Sequence, residues 1–286
     1  MSLGIAIKGP EGLVLAADSR VTMFTQFQPT PDQPPMLIPS TFDHATKLLR
    51  MRNKKQNHVA AITFGAGAIG MQAPRTARSY MPELEGELGE ADRMKVAAFA
   101  LVLSDFFGKR WAESGMPFNL GQQNDMFFYV AGYDEGDPYG KVFTFSIPTA
   151  PGPTLAIPDG QFGAAWGGQR EITDRLIQGF DPQVPALAED ILAIPPAQRN
   201  SGVLYEQLRT RVGAPIPWQF LPLQDCVDLA MFLVRTTIAY QRFTVGIRGV
   251  GGATDVATIT RDGVNDVQTK QISGEREHPT GRSRTV

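Results

Sequence analysis

The chain has 286 residues, a 42% apolar fraction and a formal net charge of −2, which allows a sizeable core in one large domain or two. Its lysines and arginines are scattered, so neither nucleic acid nor an anionic membrane is an expected partner. No apolar run reaches the length of a membrane span and no basic n-region precedes an apolar h-region, while the single cysteine, Cys226, excludes an internal disulfide and fits a cytoplasmic location.

Taken in chain order, Ile5-Ala6-Ile7-Lys8 and Leu13-Val14-Leu15-Ala16-Ala17 are expected strands around the turn Gly9-Pro10-Glu11-Gly12, where Pro and then Gly supply a fixed and a permissive φ. The stretch from Thr22 to Thr41 holds Pro29, Pro31, Pro34, Pro35 and Pro39 and is predicted as a loop insertion, since proline sits poorly in helices and central strands. Lys47 to Met51 and His58 to Phe64 read as paired strands, followed by a helix from Ala68 and a second from about Ala91 to Trp111. Met126 to Tyr133 and Lys141 to Ser146 form the next strand pair. A helix over Gln169 to Gln178 stops at Gly179 and Pro182. Residues 183–222 are proline-rich with short helical runs and form a second insertion. The helix from Leu223 to Arg242 places Cys226, Leu229, Ala230, Leu233, Val234, Thr237 and Ile238 on one side, which makes Cys226 a core residue. The polar end from Gly274 is expected to be frayed. Residues 1–273 thus read as one α+β domain of two antiparallel sheets packed face to face with helices outside.

Several segments carry a resemblance. Leu13-Val14-Leu15-Ala16-Ala17-Asp18-Ser19-Arg20, Ala45-Thr46-Lys47-Leu48-Leu49-Arg50-Met51, Ile62-Thr63-Phe64-Gly65-Ala66-Gly67, Val130-Ala131-Gly132-Tyr133-Asp134 and the hairpin from Gly251 to Gly263 resemble, in order, motifs of the proteasome β subunits and the bacterial HslV peptidase. The resemblance implies a four-layer αββα sandwich, the N-terminal nucleophile hydrolase fold. It implies a homo-oligomeric ring, peptide or unfolded-protein substrates and no metal or organic cofactor; whether an ATP-dependent unfoldase serves it is left open. Counting back from Asp18 places Ser2 on the family's nucleophile.

Removal of Met1 would leave Ser2 with a hydroxyl and a free amine, nucleophile and base on one residue. An α-amine has a reference pKa of roughly 7.7–8.0, so part of it is unprotonated near neutrality, and a nearby lysine cation lowers that value further. By the resemblance that lysine is Lys47, held by Asp18, and Gly67, with Gly65 as fallback, offers the N–H for the oxyanion. The same register assigns Val21, Ala45, Leu49, Gly65 and Ile69 to the substrate pocket. All are apolar or small, and cleavage after hydrophobic residues is expected.

The chain departs from the family at three places. The nucleophile is serine and lacks the γ-methyl that stiffens χ1 of threonine. The family's supporting Asp and Ser before the C-terminal hairpin have no counterpart in Arg242 to Val250, and its Gly-Ser-Gly turn is replaced by Trp166-Gly167-Gly168-Gln169. These departures keep open a catalytically silent scaffold subunit, and the mechanism shared with amidases keeps open an amidohydrolase of small amides, beside the peptidase. His44, His58 and His278 are too scattered for a triad or a metal site.

Overall fold

Leu3–Lys8 (β1) and Leu13–Ala17 (β2) are buried at every position, as expected of near-continuous apolar runs covered on both faces. In the computed structural model, which describes residues 2–30, 32, 34, 36–70, 73–118 and 125–269, they form the centre of a five-stranded antiparallel sheet. Gly163–Gly168 (β10) flanks β1, and Asp255–Thr260 (β11) with Gly263–Gln268 (β12) extends the other side. Met1 and the tail from Gly274, expected to be removed and frayed respectively, lie outside the described residues.

The second five-stranded sheet runs in chain order: Leu48–Arg50 (β5), Val59–Gly65 (β6), Met126–Gly132 (β7), Lys141–Ile147 (β8) and Ala150–Leu155 (β9). Every pairing in it is antiparallel. The facing surfaces of the two sheets enclose Ala6, Leu15, Ile62, Phe64, Tyr129 and Ile259. Phe64 reaches far enough across that a Cβ added to Gly4 or Gly167 would collide with its ring, so both glycines make room for the aromatic that joins the sheets.

Helices cover both outer faces. Ala77–Leu88 (α1) and Val96–Glu113 (α2) set Tyr80, Phe99, Leu103 and Phe107 against the second sheet, and Phe107 stacks on Phe128 with ring centroids 5.0 Å apart. Leu223–Gln241 (α6) buries Cys226, Ala230, Leu233 and Val234 over Ile5, Ile7 and Val14 of the first sheet. Each buried aliphatic or aromatic of this size contributes roughly 1.5–3 kcal/mol. Glu171–Ile177 (α3) lies beside α6, and the architecture is the expected αββα sandwich. Within residues 183–222, Val184–Ile191 (α4) and Ser201–Val212 (α5) form two further helices.

Three expectations need correction. The proline-rich stretch is a hairpin rather than a loop: Val21–Phe27 (β3) pairs with Met36–Phe42 (β4) over seven positions as a separate two-stranded ribbon. Pro39 opposes Phe24 there, because both strands of a ribbon have a free edge and a residue without an N–H is tolerated on it. Helix α1 begins at Ala77, not Ala68. Ile69 and Arg75 instead exchange two backbone hydrogen bonds of 2.8 Å, and Pro74 biases the residue before it towards extended backbone. Helix α2 starts at Val96 rather than Ala91, where Asp134 Oδ1 accepts the Val96 N–H at 2.7 Å and caps the first turn from another segment.

Candidate active site

Strand β2 ends at Ala17, and the next residues turn the chain so that the Asp18 side chain points back across β1. Its carboxylate accepts four hydrogen bonds: Oδ1 from Leu3 N at 3.0 Å and Lys47 Nζ at 2.6 Å, Oδ2 from Arg20 N and Gly251 N at 3.0 Å each. Asp18 is fully buried and Lys47 is 3% exposed. The pair therefore avoids the penalty of an uncompensated buried charge only through this complete set of partners. Three segments distant in sequence meet on one carboxylate: the start of β1, the strand entry at Lys47 and the loop before β11.

The Ser19-Arg20 continuation braces the same corner. Ser19 O accepts Ala45 N at 3.0 Å, Ser19 N donates to Gly251 O at 2.9 Å, and Ser19 Oγ donates to Ala253 O. Arg20 grips Asp43 through Nε at 2.5 Å and Nη2 at 2.7 Å and donates to Arg248 O at 3.1 Å. The hydrogen-bonded Arg20 guanidinium holds the Asp43 carboxyl below the usual carboxylate range, a consequence of bidentate, charge-assisted bonding. This ion pair fixes the root of the ribbon against the loop before β11.

Ser2 precedes β1 and is 2% exposed. Its carbonyl accepts Gln169 N at 2.8 Å. Ser2, Val21, Ala45, Lys47 and Gly67 line one cavity. Its volume is about 10 Å³, about the space of one water molecule. A Cβ added to Gly67 would lie 2.5 Å from Val21 Cγ1, so the glycine permits the ribbon root to close over the cavity. Leu49 and Ile69 do not line it; both belong to the core beneath α1 and α2. Gly65 is also absent from the wall, its backbone turned with φ +86° against the Asp125 carbonyl.

No family model matches the sequence, and no curated protein does. Among solved structures, the Gly-1 mutant of Anbu from Hyphomicrobium sp. strain MC1 is similar, with a TM-score of 0.52 and 15% identity, covering 97% of this chain and 89% of that one. The fold is that of the N-terminal nucleophile hydrolases. At this identity the likeness is one of architecture.

Within the sandwich of this chain, Thr63 joins the site although no motif singles it out. It stands opposite Lys47 where the β5–β6 pairing continues, with Thr63 N donating to Lys47 O at 3.0 Å. The side chain is buried, lines the same cavity as Ser2, and its Oγ1 has no partner among the described residues. A buried hydroxyl left unbonded costs about 1–3 kcal/mol, and its presence at this wall adds a polar contact point beside Ser2 and Lys47. Its only sequence signal is its place in the glycine segment. His58 lies elsewhere, buried with Nε2 2.8 Å from Met94 O. Among the described residues no group of three or more His, Cys, Asp or Glu side chains is placed to hold a metal ion.

Proposed function

We propose that this protein is a proteasome-like N-terminal nucleophile peptidase, cleaving peptide bonds inside a self-assembled ring. The observation that carries the reading is the buried Asp18–Lys47 pair, whose Oδ1 is shared with the amide of Leu3, the residue after Ser2. On maturation to Ser2, the Oγ attacks a substrate carbonyl, the freed amine takes the hydroxyl proton and passes it to the leaving amine, and Lys47 favours the developing oxyanion of the nucleophile. Gly67 N–H is the proposed donor to the tetrahedral oxyanion. Val21 and Ala45 shape an apolar site for the substrate side chain.

Assembly into a homo-oligomer is supported by the exposed apolar side chains of the ribbon, Phe27, Met36, Ile38 and Phe42, a patch of the kind that marks interaction surfaces. No helix among the described residues is long and apolar enough to cross a membrane. With one buried cysteine, a reducing cytoplasm is the proposed location.

The narrow cavity and the Val21–Gly67 contact favour a second reading, a silent scaffold subunit of the same fold, over an amidohydrolase acting on a small amide. Intact-mass measurement decides whether the mature chain begins at Ser2. A fluorogenic peptide panel with a Ser2→Ala control then separates the readings. Turnover of hydrophobic peptides abolished by the substitution supports the peptidase, turnover of small amides alone supports the amidohydrolase, and no turnover with a retained preceding residue supports the scaffold.

A further inference from the structure

Ser2 precedes β1, and the residues that the proteasome pattern would use to brace it are replaced. A closed circuit of hydrogen bonds occupies their place. Gln169 N donates to Ser2 O at 2.8 Å, and Gln169 Oε1 accepts from Gln241 Nε2. Gln241 Oε1 in turn accepts Val250 N at 2.9 Å. The adjoining Gly251 N donates to Asp18 Oδ2, and Asp18 Oδ1 accepts Leu3 N, each at 3.0 Å. The peptide bond between Leu3 and Ser2 completes the ring.

We infer that Gln169 and Gln241 are a positioning pair that locks the Ser2 backbone in register with Asp18 and Lys47, an inference that rests on Ser2 being the nucleophile. Both are partly buried, and neither is placed to touch a reacting bond through the contacts described. Gln241 is the last residue of α6, the helix whose buried side packs on β1 and β2, so the core of the first sheet sets where its carboxamide stands. The chemistry demands an amide at this point. A carboxamide donates with its nitrogen while accepting on its oxygen, and Gln241 does both at once, to Gln169 and from Val250. A carboxylate would keep the acceptor and lose the donor; an alanine would lose both. The same side chain thereby joins the two regions in which this sequence departs from the family, the Gly167-Gly168-Gln169 turn and the 242–250 loop.

Nucleophile placement is sensitive to shifts of an ångström or less, which can cost up to about a hundredfold in rate. Gln241→Ala and Gln169→Ala are each expected to lower kcat about tenfold with KM changed less than about twofold, the pattern of a lost alignment rather than of lost binding. The double variant should be no slower than either single, because both break one circuit. Thermal unfolding checks that the variants remain folded. Hydrogen exchange supplies a readout independent of turnover: the Gln169 and Leu3 amides should lose about tenfold protection in Gln241→Ala, while amides of β7 keep theirs. Unchanged kcat, multiplicative loss in the double variant of an active enzyme, or unchanged exchange at both amides would each overturn the positioning pair. If the wild-type chain hydrolyses no amide, the nucleophile reading falls while the exchange measurement still decides whether the two glutamines hold Ser2.

Discussion

Lys47 and Thr63 face one another across adjacent strands, joined by a 3.0 Å bond from Thr63 N to Lys47 O, and their side chains line the same cavity as Ser2. One side chain is locked to Asp18, whereas the hydroxyl of the other has no partner among the described residues. Thr63→Val removes that unsatisfied group at nearly constant volume and is expected to stabilise the fold by about 1 kcal/mol. Denaturant unfolding of the two proteins checks this. A lower midpoint for the valine variant would mean that Thr63 has a bonding partner in solution.

The Asp18–Lys47 pair gives the opposite expectation. Lys47→Ala leaves the Asp18 charge buried without its cation and should destabilise the chain by about 3–5 kcal/mol. Amide hydrolysis, where the wild type shows it, should be lost. Lys47→Arg keeps the charge but brings a broad planar fork into a space shaped for an ammonium, so it should recover part of the stability and little of the turnover. Equilibrium unfolding and peptide hydrolysis measured on the same preparations separate the two effects.

Closure of the cavity depends on Val21 lying against Gly67. Val21→Ala should widen the pocket and shift hydrolysis towards peptides with larger apolar side chains, read as a changed ratio of kcat/KM between two substrates. Gly67→Ala should do the reverse and overpack the contact, at a cost of about 1–3 kcal/mol. Equal substrate ratios in wild type and Val21→Ala would place the specificity elsewhere.

Burial, reinforced by the Arg93 cation and opposed to a lesser degree by the Met94 and Lys55 carbonyls and Asp134, lowers the His58 pKa from its ordinary value of 6.5. Between the lowered folded value and 6.5 the unfolded chain binds a proton that the folded chain refuses, so stability rises with pH there. Stability present above pH 6.5 is therefore lost as the pH falls through that window and levels off below the folded value. Chemical unfolding at intervals from pH 7.5 to about 4.5 should show this slope, and His58→Gln, which can still donate to Met94 O, should flatten it.

Burial also pushes the Cys226 thiol up to about 11, with Cys226 fully covered between α6 and the first sheet. In the native protein, iodoacetamide should label it at pH 7 more than about a hundredfold slower than in denaturant. Fast native labelling would show that α6 opens readily.

Much of the sandwich was legible in the linear chain because its central elements carry uninterrupted patterns. Leu13 to Ala17 is a short apolar run bounded by turn signals, as a doubly covered strand is, and the stripe from Cys226 to Thr237 has the spacing of a helix with one buried face. Strands β9 and β10 escaped notice because Ala150-Pro151-Gly152-Pro153 and Gly163-Ala164-Ala165 lack strand-favouring side chains; what makes them strands is the partner edge beside them. The ribbon escaped for the related reason that proline is costly only where its missing N–H has a bond to make. At the candidate site, Asp18 and Lys47 were singled out by their family register, while Thr63, Gln169 and Gln241 carry no pattern of their own. Leu49 and Ile69, chosen by that register for the pocket, lie in the core beneath α1 and α2: Leu49, two residues beyond Lys47, shares its face but pairs with Ala61, a step deeper in the sheet.

Local composition alone therefore decided which segments become strand or helix at the centre of the fold, because apolar periodicity is written in neighbouring residues. The meeting of Asp18 with Lys47, 29 positions away, and with Gly251, 233 positions away, and the clasp of Gln241 on Gln169, 72 positions distant, were settled only when the two sheets and α6 packed. Hydrogen bonds need donor and acceptor within about 3 Å and in line. No spacing along a chain specifies that geometry; the packing of the layers does.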